Sequence, residues 1–71
     1  MARRWVFERH KELPMLWTWR LLGANGCIEH QGGAFEQYSV ALQDANRNGF
    51  RPTEDHWIVD TAREVTHHEH G

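Results

Sequence analysis

Apolar and polar side chains alternate along residues 17–21, whose sequence is Trp-Thr-Trp-Arg-Leu. A period of two is typical of a strand that buries one face and exposes the other. The dipeptide Asn25-Gly26 follows, and it is the commonest sequence of a tight hairpin turn. The pattern therefore predicts a β-hairpin at the centre of the fold.

The same alternation occurs before this segment and again after the turn. Trp5 and Phe7 are separated by Val6 and flanked by charged residues, which predicts an earlier strand. Gly32 and Gly33 predict the end of the last strand, because paired glycines weaken a strand interior. We thus predict three strands, over residues 3–10, 15–22 and 27–31.

Helical spacing replaces alternation in residues 36–48. Tyr38, Leu42 and Ala45 recur at intervals of four and three residues, which places them on one face of a helix. Gly49 follows at the position where a helix commonly ends in the left-handed conformation. The sequence therefore predicts one amphipathic helix after the three strands.

The last third of the chain has a weaker pattern. A short apolar run, Trp57-Ile58-Val59, predicts either a short fourth strand near residues 56–59 or an interaction strip that docks on the domain or on a second copy. We interpret residues 1–60 as a single domain with a C-terminal extension. Residues 61–71 are expected to form a flexible, His-rich tail.

These elements predict an α+β fold, a three-stranded antiparallel β-meander with one α-helix packed on one face. Large aromatic side chains supply the bulk that a chain of 71 residues needs for a core. The expected core consists of Trp5, Phe7, Trp17, Trp19, Leu21, Ile28, Tyr38, Leu42, Ala45 and Phe50.

Composition narrows the setting of the protein. A single cysteine, Cys27, excludes an internal disulfide and favours the cytoplasm, because small secreted domains usually need several. No run approaches the ~20 apolar residues of a membrane-spanning helix, and we expect neither a signal peptide nor a membrane partner. The formal charge of −2 selects no class of partner.

Residues 7–50 resemble the small bacterial YegP-like domains of unknown function. The resemblance rests on the strand Trp17-x-Trp19-x-Leu21, on Asn25-Gly26-x-Ile28 and on an aromatic-led helix with two alanines, Ala41 and Ala45. It implies a three-stranded antiparallel sheet with one helix across it. Relatives that hold two such units in tandem pack them together, so a chain with one unit favours a homodimer. The family has no known catalytic residue, and the resemblance therefore implies none.

Six histidines raise the question of a metal site. The tail residues His67, His68, Glu69 and His70 are ligand types that suit zinc, nickel or copper, but a structural site needs four ligands on a folded frame. We therefore predict no specific metal and no cofactor. No nucleophile is paired with a base and an orienting group, so we predict no catalytic residues and no enzymatic activity.

Two functions follow from the open face of such a sheet. The first is a non-enzymatic protein-interaction domain, self-associating or bound to another protein, because an uncovered antiparallel sheet face is commonly buried by association. The alternative is a weak nucleic-acid-binding domain that lays this face on DNA or RNA. The candidate residues for a partner or nucleic-acid surface are Arg3, Arg4, Arg9, Thr18 and Arg20, and those for an interaction strip are Trp57, Ile58 and Val59.

Overall fold

The computed structural model describes residues 3–69, which contain five strands and one helix. The elements are, in chain order, β1 (Arg4–Arg9), β2 (Trp17–Leu22), β3 (Ile28–Phe35), α1 (Tyr38–Arg47), β4 (His56–Asp60) and β5 (Val65–Glu69).

The strands form one mixed sheet in the order β3-β2-β1-β4-β5. β1 is antiparallel to β2 and parallel to β4, whereas β2–β3 and β4–β5 are antiparallel pairs. The α+β class is confirmed and the predicted meander is present as β1-β2-β3. The prediction of a three-stranded sheet is wrong, because β4 pairs with the edge of β1 that a meander would leave open, and β5 pairs with β4.

The glycines of β3 were predicted to end the strand, but the strand continues past them. Gly32 lies opposite Trp19, and a Cβ atom at Gly32 would come within 2.5 Å of the Trp19 indole nitrogen. Gly33 has φ of +140° and lies against Thr18. These glycines allow a close approach between β3 and the side chains of β2, so β3 continues to Phe35.

The segment predicted to be a flexible tail contains β5. Val65 and Thr66 are β-branched, a residue type that favours strands, and the five residues of β5 pair with β4 without interruption. Only residues 65–69 of the predicted tail are in a strand; residues 70–71 lie outside the described residues. β5 is not evident from the sequence because its side chains are mostly exposed and polar, so its hydrophobic alternation is weak.

The core lies between α1 and one face of the sheet. Its buried members are Trp5, Phe7, Trp17, Trp19, Leu21, Ala41, Ala45 and Phe50, and Tyr38 and Leu42 pack against them in partly buried positions. One predicted core residue is misplaced. Ile28 is 52% exposed, because a register shift between Leu21 and Leu22 sets it beside Leu22, away from the core.

Two small side chains bring α1 close to the sheet. Ala41 and Ala45 are fully buried where the helix crosses the aromatic residues. Gly49 has φ of +104°, as predicted, and the Phe50 amide donates to the Ala45 carbonyl at 3.0 Å. This turn folds Phe50 back beneath the helix. Within residues 3–69, no helix is long and apolar enough to cross a membrane.

One polar contact fixes the helix on the sheet. The Trp19 indole N–H donates to the Asp44 carboxylate at 2.8 Å. Since Trp19 is 1% exposed, this hydrogen bond satisfies a donor that the core would otherwise leave without a partner.

We predict that Asp44→Ala destabilises the domain by about 1.5–3 kcal/mol, because it removes the charged acceptor of a buried indole N–H. Thermal unfolding followed by near-UV circular dichroism checks this, since the tryptophans dominate that signal. Glu36→Ala, which truncates an exposed acid outside the helix, is the matched control. Equal melting temperatures for the two variants would contradict a stabilising role for the hydrogen bond.

Candidate interaction surface

The face of the sheet opposite α1 is not covered by any other element within residues 3–69. We call it the open face. Strand alternation and the register place thirteen residues on it. They are Arg4, Val6, Glu8, Thr18, Arg20, Leu22, Ile28, Gln31, Gly33, Trp57, Val59, Thr66 and His68.

Trp57 lies in a three-layer stack on this face. The Arg4 guanidinium carbon is 4.7 Å from the centre of the Trp57 ring. The His68 imidazole is parallel to the same ring, at a centroid distance of 3.9 Å and an angle of 6°. Because these residues belong to β1, β4 and β5, the stack crosses three adjacent strands and holds their side chains in place.

The two arginines on the open face have different partners. Arg20 donates to the Glu8 carboxylate at 2.7 Å, so its charge is balanced within the face. Arg4 lies over Trp57 in a cation–π contact. Val6 lies between these side chains and is buried, although no helix covers it. Val6 is therefore covered by the longer side chains around it, and on this face the Arg20 charge is paired with Glu8 while Arg4 keeps its charge beside Trp57.

Arg9, predicted to lie on the partner surface, is on the opposite side of the sheet. Its guanidinium donates two hydrogen bonds to Asp60, from Nε at 2.9 Å and from Nη2 at 2.7 Å. It also lies 5.7 Å from the centre of the Trp17 ring, on the face that carries α1. Arg9 is thus engaged in joining β1 to β4, and strand alternation accounts for the misplacement.

Arg3 lies just before β1 and is exposed, with an ion pair to Glu29 at 3.8 Å. Of the five residues predicted for a partner surface, Arg4, Thr18 and Arg20 are therefore brought together on the open face. Arg3 borders a shallow, solvent-open depression of about 330 Å³ at one end of that face, together with Arg4 and Trp57.

The predicted interaction strip is divided between the two faces of the sheet. Trp57 and Val59 lie on the open face, whereas Ile58 packs against the core opposite Phe7. The strip is indeed a fourth strand, β4, which was one of the two alternatives. Because successive side chains of a strand point to opposite faces, a continuous apolar run supplies only alternate residues to a surface.

The histidines of β5 are also separated by alternation. His68 stacks on Trp57 and lies 3.6 Å from Asp55, whereas His67 contacts Glu69 at 2.9 Å on the other face. His56 is buried against Phe50. Across residues 3–69, no group of three histidine, cysteine, aspartate or glutamate side chains is arranged to hold a metal ion.

β5 also contributes side chains to the open face, which the sequence did not predict. His68 and Thr66 belong to this face, and His68 completes the stack on Trp57. The available signal was the pair of β-branched residues at the start of the segment, which favours a strand. The terminal position of the segment favoured a flexible tail instead.

The Arg9–Asp60 pair makes stability depend on pH. Hydrogen bonding from Arg9 lowers the pKa of Asp60, against a smaller opposing effect of desolvation. Asp60 therefore stabilises the fold above about pH 4, the usual pKa of an unfolded aspartate, and this contribution is lost as the pH falls towards the lowered value.

We predict that Asp60→Asn is less stable than the parent at pH 7 and that the difference narrows below about pH 4. Urea unfolding at a series of pH values measures it. Glu36→Gln, at an exposed site, is the control and should follow the parent throughout. A difference between Asp60→Asn and the parent that stays constant down to pH 2 would contradict the assigned role of the carboxylate.

The open face thus carries the stack on Trp57 and the Arg20–Glu8 ion pair. Comparison of the chain with protein-family models found no match, and neither the curated proteins nor the solved structures contained a significant match.

Proposed function

We propose that this chain is a small non-enzymatic interaction domain that self-associates, with its contact surface on the part of the sheet around Trp57. The observation that carries this proposal is the uncovered sheet face, on which Trp57 is stacked with Arg4 and His68 and the charges of Arg20 and Glu8 are paired. Tryptophan and arginine are enriched in the cores of protein interfaces, where unbalanced charges are depleted.

Two further features support a binding role without catalysis. The depressions on the open face, of about 330 and 420 Å³, are shallow and open to solvent, whereas ligand pockets usually enclose most of the ligand. The hydrogen bond that Arg20 donates to the Glu8 carboxylate already engages both residues, so they serve to shape the surface.

We further propose that the domain forms a homodimer in the cytoplasm. The resemblance of residues 7–50 to YegP-like domains, in which paired units pack together, favours association of two copies. The single, exposed thiol of Cys27 is compatible with a reducing compartment, and we propose a cytoplasmic location.

We expect the parent chain to sediment as a dimer at high concentration and to dissociate on dilution. Trp57→Ala should weaken association, because it removes the stack that holds β5 on β4. Leu13→Ala is the matched control, since Leu13 is 82% exposed in a loop. Sedimentation velocity over a wide concentration range measures the association of the parent and of both variants. A parent chain that remains monomeric throughout would overturn self-association.

The alternative function is weak nucleic-acid binding through the open face. It is favoured by the presence of Arg4, Thr18 and Arg20 on that face. The pairing of Arg20 with Glu8 opposes it, because phosphate contacts need cationic groups that are available to the ligand.

We therefore expect no salt-sensitive amide shifts when the labelled protein is titrated with short duplex DNA or single-stranded RNA at low salt. Shifts confined to residues 4–8 and 18–20 that reverse on adding salt would replace the protein-interaction proposal with the nucleic-acid one. Glu8→Gln, which frees Arg20, would then be expected to tighten binding.

A further inference from the structure

The two edges of the sheet differ in a way that bears on association. β3 forms one edge, and its pairing with β2 contains two register irregularities, next to Trp17 and next to Leu21. β5 forms the other edge, and it pairs with β4 residue for residue. Irregular pairing bends an edge and discourages further strands, so β3 is protected against association.

β5 has few of the features that usually protect an edge. Its sequence, Val-Thr-His-His-Glu, contains no proline, no lysine and one formal charge, Glu69. All its residues except His68 are exposed, and within residues 3–69 it pairs with β4 alone. A regular strand of this kind presents backbone donors and acceptors to another strand.

We infer that β5 is the seam of a homodimer, in which β5 of one copy pairs antiparallel with β5 of a second copy about a two-fold axis at His67. This inference rests on the proposed self-association and places the contact at the β5 edge beside Trp57, so that the open face itself stays uncovered in the dimer. The two sheets would join into one continuous sheet with both helices on the same side.

Symmetry restricts the register. A two-fold axis normal to the sheet keeps every side chain on its own face, and directly opposed residues of an antiparallel pair share a face. The axis must therefore pass through a residue position. His67 is the middle residue of β5, so an axis there pairs all five residues of the strand.

The side chains of β5 suit this register. Glu69 would lie opposite Val65 of the second copy, so the formal charges would not oppose each other. His67, which already contacts Glu69 of its own chain at 2.9 Å, would lie diagonally from Glu69 of the second copy. On the open face, Thr66 would lie opposite His68, which is a hydroxyl beside an imidazole.

The stack on Trp57 prepares β5 for this contact. Arg4, Trp57 and His68 link β1, β4 and β5 across the open face, so the edge strand is held in extended form before a partner arrives. A surface ordered in advance loses less conformational entropy on binding. In the dimer, the two stacks would flank the seam on one continuous face.

Disulfide trapping tests the register. In a Cys27→Ser background, His67→Cys should form a linked dimer roughly tenfold or more faster than Thr66→Cys, because self-opposed residues lie within disulfide reach and diagonal ones do not. Gln43→Cys, on the exposed surface of α1, is the control for random collision. Oxidised glutathione serves as the oxidant, and linked dimer is quantified by non-reducing electrophoresis.

Charged substitutions at position 67 give an independent test of the register of the β5–β5 pairing. His67→Glu should weaken dimerisation about fivefold, since two like charges would face each other across the axis. His67→Lys should weaken it less, because Glu69 of both copies lies nearby. An equimolar mixture of the two variants should recover the parent affinity, while Gln43→Glu should leave it unchanged.

The outcomes distinguish a failure of the β5 seam from a failure of self-association as such. Preferential trapping at position 67 together with recovery in the mixture supports the β5 seam. A parent chain that dimerises while position 67 is trapped no faster than the controls overturns the seam and leaves the proposed function standing. A parent chain that is monomeric at every concentration overturns both.

Discussion

The fold depends on the close contact between a helix with small side chains and a sheet with very large ones. Ala41 and Ala45 are fully buried against the tryptophan-rich face, and the Trp19 indole N–H reaches Asp44 on the same helix. Gly32 leaves room for this contact, because a Cβ atom there would collide with the Trp19 ring. A domain of this size buries only about 60% of its unfolded surface, so dense packing of a few aromatic residues is its main source of stability.

The same packing decides what the other side of the sheet can do. With α1 on one face, every alternate side chain of the strands is directed to the open face, where long side chains cover each other. Arg20 pairs with Glu8, and Trp57 lies between Arg4 and His68. Two arginines that were predicted to contact a partner, Arg4 and Arg20, therefore make their contacts with other side chains of the sheet. This internal pairing is the reason for proposing a protein partner and not phosphate.

The connection from α1 back to the sheet decides which strand forms the second edge of the sheet. β4 pairs in parallel with β1 and so places the last strand at an outer edge. The Arg9–Asp60 pair ties β4 to β1 on the helix side, while the stack on Trp57 ties β4 to β5 on the open side. The edge that results is regular, whereas the edge at β3 is irregular in two places. Association through β5 is the proposal that this contrast supports.

Local sequence alone determined the strands around Trp5 and Trp19, the helix with Ala45 and the left-handed Gly49, since periodicity and turn preference act within a few residues. It could not determine β5 or the parallel pairing of β4, because these depend on strands distant in the chain. For the same reason it placed Ile28 in the core, since the register shift between β2 and β3 is not a local property. The position of Arg9, by contrast, follows from local alternation, which puts it on the same face as Trp5 and Phe7. Only the tertiary structure decided which arginines are paired, which face carries Trp57 and which edge remains regular, because each follows from register between distant strands.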